Sequence, residues 1–181
     1  AVYLWVHVSW RWHRLRPMTA QDHAGPQTTF RAATQADISE ITDVLRAAYA
    51  PYADVPGLPD MTADVAGDFA QTQRPTQTRV AQSGTGRIVG LVMWRGPIAG
   101  DPHAHIMQLA VHPDMAGQGL GRGLLDQVTQ AAKTAGASYL TLSTHRAMTA
   151  ALTLYARLGW RKEDHPHSPT DVRVSLRKPL I

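Results

Sequence analysis

The 181-residue chain predicts an α/β domain: a mixed central sheet of about six to seven strands flanked by about four helices. Three observations carry this expectation. Strand-like and helix-like patterns follow one another in the order β α α β β β α β α β β. Two strands are nearly continuous apolar runs, as strands buried on both faces are. One of these runs leads through a glycine-rich loop into an amphipathic helix.

Taken in order, residues 19–27 read as a polar linker, and Thr28 to Ala32 as a short strand. Thr34 to Asp37 offer helix-capping side chains, and Ile38, Ile41, Val44, Leu45 and Ala48 follow at helical spacing, which predicts a helix over about 36–49. Pro51, Pro56, Gly57 and Pro59 break the chain into a loop, and a weaker helix fits about 61–71. Arg79 to Ala81 and Ile88 to Trp94 form a hairpin around Ser83–Gly86. His105 to Val111 is an apolar strand whose lack of alternation predicts burial on both faces, and Pro113 closes it. Leu120, Leu124, Val128, Ala131 and Ala135 share one helix face, ended by Gly136. Tyr139 to Leu142 is a strand. Met148, Ala151, Leu152, Tyr155 and Leu158 make another helical stripe, ended by Gly159. Strands from Trp160 and over Val172 to Leu176 complete the chain, with a loop over His165 to Pro169 between them.

At 44% hydrophobic and 18% charged, the composition is that of a soluble globular domain. Residues 28–181 form that domain and 1–27 an N-terminal extension. Residues 1–17 read as upstream-translated or dispensable, with Met18 as the natural start, although the alternation from Val2 to Trp10 equally suits an edge strand. The chain has no cysteine, which removes disulfides, thiolate zinc sites and a cysteine nucleophile, and is compatible with a cytoplasmic protein. Of 18 basic and 14 acidic residues, three arginines and Asp22 lie in 1–27, leaving 15 and 13 in a nearly balanced domain. Without a basic stripe or a charge run, nucleic-acid binding is not expected. No run approaches the ~20 apolar residues of a membrane span.

The segment Val111-His112-Pro113-Asp114-Met115-Ala116-Gly117-Gln118-Gly119-Leu120-Gly121-Arg122-Gly123-Leu124-Leu125 is the most specific. Four glycines at alternate positions let the backbone curl so that successive N–H groups point inward. The first helical N–H groups are unpaired and the dipole there is positive, so the turn suits a pyrophosphate. Arg122 adds a full charge. The dinucleotide pattern fails, since the sixth residue is Arg122 counted from Gly117 and Leu124 counted from Gly119. The Walker pattern fails for want of a lysine.

Val111 to Leu125 resembles motif A of the GNAT superfamily of acyltransferases, usually Arg/Gln-x-x-Gly-x-Gly/Ala. Gly119 and Gly121 match its glycines, while Ala116 stands where Arg or Gln is usual. Ala151-Leu152-Thr153-Leu154-Tyr155-Ala156-Arg157-Leu158-Gly159-Trp160 resembles motif B, commonly Ala-x-x-Leu-Tyr-x-x-x-Gly-Phe, with Trp160 in place of Phe. Met148 stands where the family often has Asn. In element order the likeness covers about residues 28–178.

The resemblance implies direct transfer of an acetyl group from acetyl-CoA, the co-substrate, to a primary amine on a small molecule or a protein. It implies that Ala116, Gly117, Gln118, Gly119, Leu120, Gly121 and Arg122 hold the pyrophosphate. It implies that main-chain N–H groups of Leu109, Ala110 and Val111 face the pantetheine arm and the oxyanion. Tyr155 matches the family's tyrosine, a phenol near pKa ~10 donating to a thiolate near ~8.5, uphill by roughly 2 kcal/mol. The family often uses a Glu on the strand before the loop, or water, as base. That strand offers His103, His105 and Gln108 but no acid before Asp114. His105 is the candidate base, and His145, after the next strand, could also reach the cleft. Tyr49 and Tyr52 could line an acceptor pocket, and Asp54 and Asp60 could attract a cationic amine. No metal is expected, and a homodimer is left open. The rival expectation, fed by Ala116, Met148 and the missing Glu, is a non-catalytic acyl-CoA-binding protein of the same fold.

Overall fold

The structure, a computed structural model, describes residues 28–58, 60, 62, 65, 67, 76–163 and 172–180. The expected extension 1–27 and the loop over His165 to Pro169 lie outside them. So does the helix expected over about 61–71, except at Thr62, Val65 and Gly67.

Strands β1 (Thr29–Ala32), β2 (Thr76–Gln82), β3 (Ile88–Arg95), β4 (His103–Val111), β5 (Tyr139–His145), β6 (Arg161–Lys162) and β7 (Arg173–Pro179) form one open sheet in the order β1-β2-β3-β4-β5-β7-β6. Only β4 and β5 run parallel among these pairs. Helices α1 (Ile38–Tyr49), α2 (Leu120–Thr134) and α3 (Thr149–Arg157) are the α-helices with assigned bounds among the described residues, against the four expected. The mixed sheet with helices on its faces is otherwise the architecture read from the sequence.

Two core clusters flank the sheet. On one side Ile41, Val44 and Leu45 of α1 meet Val80, Leu91 and Met93. On the other Leu124, Leu125 and Val128 of α2 meet Val89, Val92, Trp94 and Leu140. Strand β3 feeds both clusters, so every residue from Ile88 to Trp94 is buried. Each fully buried aliphatic side chain in these clusters contributes roughly 1.5–3 kcal/mol.

The register between β3 and β4 slips by one residue: Met93 lies opposite Gln108 and Trp94 opposite Ile106, so Met107 is a bulge. Because side chains alternate, an extra residue changes the face that follows. Ala104 and Ile106 accordingly join the α2 cluster, whereas Ala110 joins the α1 cluster. The same point ends the pairing of β4 with β5, which runs only from His103↔Tyr139 to Ile106↔Leu142. Beyond Ile106, β4 keeps β3, and among the described residues no strand pairs with its other edge. Full burial on both faces was the expectation for β4. Its alternate residues are instead only half-buried, because this stretch opens onto a cleft.

Strand β1 is joined to α1 by a charged knot. Arg31 donates two parallel hydrogen bonds to Asp37, at 2.7 and 2.8 Å, and a third to Gln82 at 3.0 Å. Thr34 adds its N–H and hydroxyl to the same carboxylate, closing a capping box ahead of α1. The hydrogen bonds from Arg31, opposed by burial and aided by Thr34, hold the Asp37 carboxyl well below its ordinary pKa. A depressed folded pKa contributes stability that is complete above the unfolded value of about 3.9 and is lost as pH falls below it. Asp37→Asn is therefore expected to cost about 2–3 kcal/mol at pH 7. In urea melts the difference from wild type should shrink steadily below about pH 4.

Candidate active site

The glycines of the loop after β4 divide into two kinds. Gly117 and Gly119 have φ of 78° and 80°, the left-handed region in which other residues are strained. A Cβ on either would meet nothing within 4 Å, so their role is backbone shape. Gly121 and Gly123 are ordinary helical residues of α2, and the expected curl through all four does not occur. A Cβ on Gly121 would sit 3.2 Å from Leu154 of α3, and one on Gly123 would sit 2.4 Å from the ring of Phe30. These two seat the head of the helix against α3 and β1.

A short 3₁₀ turn, Pro113–Met115, separates the strand from this loop. It claims the Ala116 N–H, which donates to the Pro113 carbonyl at 3.0 Å, so Ala116 brings no amide to the anion-binding set. At the start of α2 the first bond is Gly123 N–H to Gly119 O. Among the described residues no backbone carbonyl accepts from the N–H groups of Gly119, Leu120, Gly121 or Arg122. These are the four orphan donors of a helix start, with the positive end of the dipole behind them. Gly117 and Gln118 shape the turn beside them. Arg122 is exposed and reaches Asp126 at 3.7 Å, leaving its guanidinium at the surface of that turn.

On β4 the amides alternate. His112 donates to Val89 at 2.9 Å, and with Ala110 opposite Leu91 this places the Ala110 N–H toward β3. Leu109 and Val111 then point their N–H groups to the open edge. Of the three strand residues expected to face a ligand, two are so oriented and Ala110 is not.

That open edge forms one wall of a cavity of about 220 Å³. Met107, Gln108 and Leu109 of β4 line it from one side, and Leu142, Ser143 and Thr144 of β5 from the other. Tyr155 and Met148 face it from the region of α3, and Tyr49 from the end of α1. Tyr155 is 5% exposed, and no hydrogen-bond partner for its hydroxyl lies among the described residues. Burial first, and then Tyr49, push its pKa far above the ordinary phenol value. Burial first, and then Tyr52, push Tyr49 up to about 12. Both phenols are neutral O–H groups at any ordinary pH. Trp160, in the motif's aromatic place, tilts at 59° against Tyr155 with ring centres 5.7 Å apart. Its buried indole N–H has no acceptor among the described residues, so the ring acts there by packing.

The histidines are placed otherwise than expected. His105 lies on the stretch of β4 still paired with β5, where Nδ1 meets the Thr141 hydroxyl at 2.8 Å. It is not among the residues lining the cleft, and burial, followed by Arg95 and His103, lowers its pKa. His103 is engaged with Asp101 and stacks on Tyr139, whose ring also carries Arg177 at 3.6 Å. His145 does line the cleft, but as a clamp. Its Nδ1 accepts the Ala147 N–H at 3.1 Å and its Nε2–H donates to the Pro56 carbonyl at 3.2 Å. With both nitrogens engaged, it has no lone pair to offer as a base. Of the loop candidates, Tyr49 reaches the cleft while Tyr52, Asp54 and Asp60 do not line it, and Asp60 is held by Thr62. Among the described residues no three His, Asp or Glu side chains converge as a metal site.

Sequence reading missed Leu58, Met107 and Arg173 of the cleft wall, which carry no motif. It also missed Gly57 as a structural point. Gly57 has φ of 83°, and a Cβ there would lie 2.9 Å from Val172.

The Acetyltransferase (GNAT) family model matches residues 41–160. The chain belongs to this family. Its fold is that of GNAT acyltransferases. It is similar to an acetyltransferase of the GNAT family from Staphylococcus aureus at 14% identity and a TM-score of 0.74, over 86% of this chain and 100% of that one. It is also similar to a Salmonella typhimurium protein classed as an acetyltransferase and solved with its cofactor acetyl-CoA, at 20% identity and TM-score 0.68, over 86% and 95% of the two chains. The PaiA N-acetyltransferase from Thermoplasma acidophilum, solved with coenzyme A, aligns at 15% identity and TM-score 0.70, over 84% and 99%. A comparison with curated proteins returns no match.

Gly57 offers a clean test of how firmly this GNAT cleft wall is held. Gly100 shares its conformation, with φ of 84°, but a Cβ there would meet nothing within 4 Å. Both alanine variants bear the left-handed strain, and only Gly57→Ala adds the collision with Val172. Gly57→Ala should be the less stable by about 1–3 kcal/mol in urea melts.

Proposed function

We propose that this GNAT protein transfers an acetyl group from acetyl-CoA directly to a primary amine. The observation that supports this most is a continuous path of unclaimed N–H donors. It runs from the head of α2, Gly119 to Arg122, along the open edge of β4 at Val111 and Leu109, to the cleft beside Tyr155. The donors at the helix start fit a diphosphate in charge and direction. The strand edge fits an extended amide-bearing arm, as any unpaired strand edge does.

Acetyl-CoA, when bound, supplies an activated acyl carbon and a thiolate leaving group. A strand-edge N–H from Leu109 or Val111 donates to the carbonyl oxygen as it becomes negative, without reorganising. A new C–N bond forms as the C–S bond breaks, and Tyr155 gives its proton to the sulfur. Burial raises the phenol's pKa, which alone would hinder this transfer. The same apolar surroundings raise the proton affinity of the thiolate released beside it, so the difference is largely offset. The described lining residues hold no carboxylate base, so the amine enters neutral, its extra proton leaves to water, and a proton from water returns the Tyr155 phenolate to the phenol. His105 takes no part in this scheme.

Acetyl-CoA and CoA should raise Tm, and NAD should not, because only a ligand of the native state stabilises it. Thiol release over a panel of amines then separates an enzyme from an acyl-CoA-binding protein of the same fold. Stabilisation by CoA with no thiol release for any amine would favour the binding protein. Tyr155→Phe removes a hydroxyl that faces the cleft and has no partner among the described residues, so its Tm should change little. Its kcat should drop by about 10²-fold or more with acetyl-CoA KM little changed. An unchanged kcat across the pH range would remove Tyr155 from the reaction.

A further inference from the structure

One wall of the cleft is held from behind by a single side chain. Resting on the transfer reaction proposed above, we infer that His145 is a positioning residue for the acceptor. Through the Pro56 carbonyl it fixes the wall at Gly57 and Leu58, and so sets the bulk of the amine that the cleft takes.

Three observations lead there. The first is reach. His145 is buried, and its two nitrogens serve different ends. Nδ1 accepts the Ala147 N–H at 3.1 Å, a bond within the turn that leads from β5 into α3. That bond puts the ring proton on the other nitrogen. Nε2–H then donates to the Pro56 carbonyl at 3.2 Å, across 89 positions of sequence. The second is the wall itself. Gly57 and Leu58, directly after Pro56, line the cleft. Residues 53–58 belong to no strand or helix and are shaped by tight turns, with Val55 N–H on Tyr52 O at 3.0 Å and Leu58 N–H on Val55 O at 3.3 Å. Two contacts tie this segment to the end of β5. One is the hydrogen bond from His145 to Pro56. The other runs through Val172, whose carbonyl accepts the Arg146 N–H at 2.9 Å and whose side chain abuts Gly57. The third is scale. The cavity, at about 220 Å³, is small beside the roughly 300–1,000 Å³ of pockets that take drug-sized ligands. Tyr49, Leu58, Met107 and Met148 give it an apolar body, and an apolar pocket selects by fit, at about 10–200-fold per methylene.

The path for CoA follows the head of α2 and the edge of β4, which leaves the wall at Gly57 and Leu58 to the amine. Substitution can separate the long hydrogen bond of His145 from the space its ring fills. A glutamine side chain reaches the place of Nε2 with an N–H and can still donate to Pro56, while giving up the bond to Ala147. A leucine fills a similar volume and donates nothing. An asparagine keeps an acceptor near the place of Nδ1 and ends short of Pro56. His145→Leu and His145→Asn therefore both release Pro56, though they differ in volume and in the local bond. His145→Gln keeps it.

The test uses the full chain and two amines that differ by one fused ring, phenethylamine and 2-(1-naphthyl)ethylamine. Thiol release gives kcat/KM for each, thermal shift in the presence of CoA reads their binding, and hydrogen exchange follows the Leu58 N–H. A single cooperative melt shows that each variant is folded. The inference expects the wild type to favour phenethylamine. His145→Leu and His145→Asn should raise the naphthyl-to-phenyl ratio by about tenfold or more through the acceptor KM, with the acetyl-CoA KM little changed. His145→Gln should hold the ratio near that of the wild type. Exchange at Leu58 should quicken in His145→Leu and His145→Asn and stay slow in His145→Gln. A ratio unmoved in His145→Leu and His145→Asn, or moved as far in His145→Gln, would overturn the inference and leave the transfer reaction standing. If neither amine releases thiol, the wider amine panel decides the transfer reaction, while the thermal shifts and the exchange decide this inference. Changes in His145→Leu and His145→Asn that His145→Gln does not share uphold it, and like behaviour in all three variants rejects it.

Discussion

Between Ile106 and Val111 the chain keeps its hydrogen bonds to β3 and gives up those to β5, and the rest of the molecule is arranged around that parting. A strand with one bare edge inside a protein is costly unless something covers it or a ligand uses it. The bulge at Met107 falls at the parting and reverses the face of the strand. It turns Leu109 and Val111 so that their main chain looks into the gap while their side chains pack on the α2 cluster. Four residues separate helix α2 from the short turn that follows, which carries the open edge straight to the orphan donors of the helix start.

The surroundings hold the gap from several directions. Gly121 lets α3 approach α2, and Gly123 lets the Phe30 ring bear on its first turn. Tyr155 is buried between these elements and steadied by Trp160. At the far wall, His145 ties Pro56 to the end of β5, and Gly57 is wedged against Val172. Rigid backbone contacts, more than polar side chains, set the dimensions of the site. This explains how Ala116 can stand in the motif's polar position, since the donors that remain are main-chain groups.

Much of this was legible in the sequence, for definite reasons. Apolar runs and helical stripes are set by what must be buried, so the order of strands and helices from Thr29 to Pro179 can be read off, apart from the helix expected over about 61–71, which lies outside the described residues. Glycines ahead of a helix stripe mark a loop of special shape, so Gly117 and Gly119 stand out in the sequence itself. The remainder depended on distance and register. The bulge at Met107 arises from the pairing of two strands and has no local signature. The commitment of the Ala110 and Ala116 amides follows from partners that sequence does not name. Gly121 and Gly123 resemble loop glycines in the sequence, yet they are helical, and only the nearness of Leu154 and Phe30 accounts for them. His105 and His145 were read by intrinsic basicity, whereas their neighbours decide what they do: one is hydrogen-bonded to Thr141 outside the cleft and the other is held at both nitrogens. Arg173 sits at the opening of a strand with nothing beside it in sequence to announce a pocket.

The four-residue ladder from His103 to Ile106 has a mechanical meaning as well. Among the described residues it is the only strand-to-strand seam between the half of the sheet holding β1 to β4 and the half holding β5, β7 and β6. A seam that short is a compliant one, and the two halves resemble the leaves of a book stitched along part of the spine. A molecule lying in the unstitched part would supply the absent rungs. Occupancy and stiffness are then one variable, and the scissile bond would be held most firmly when the leaves are joined through it.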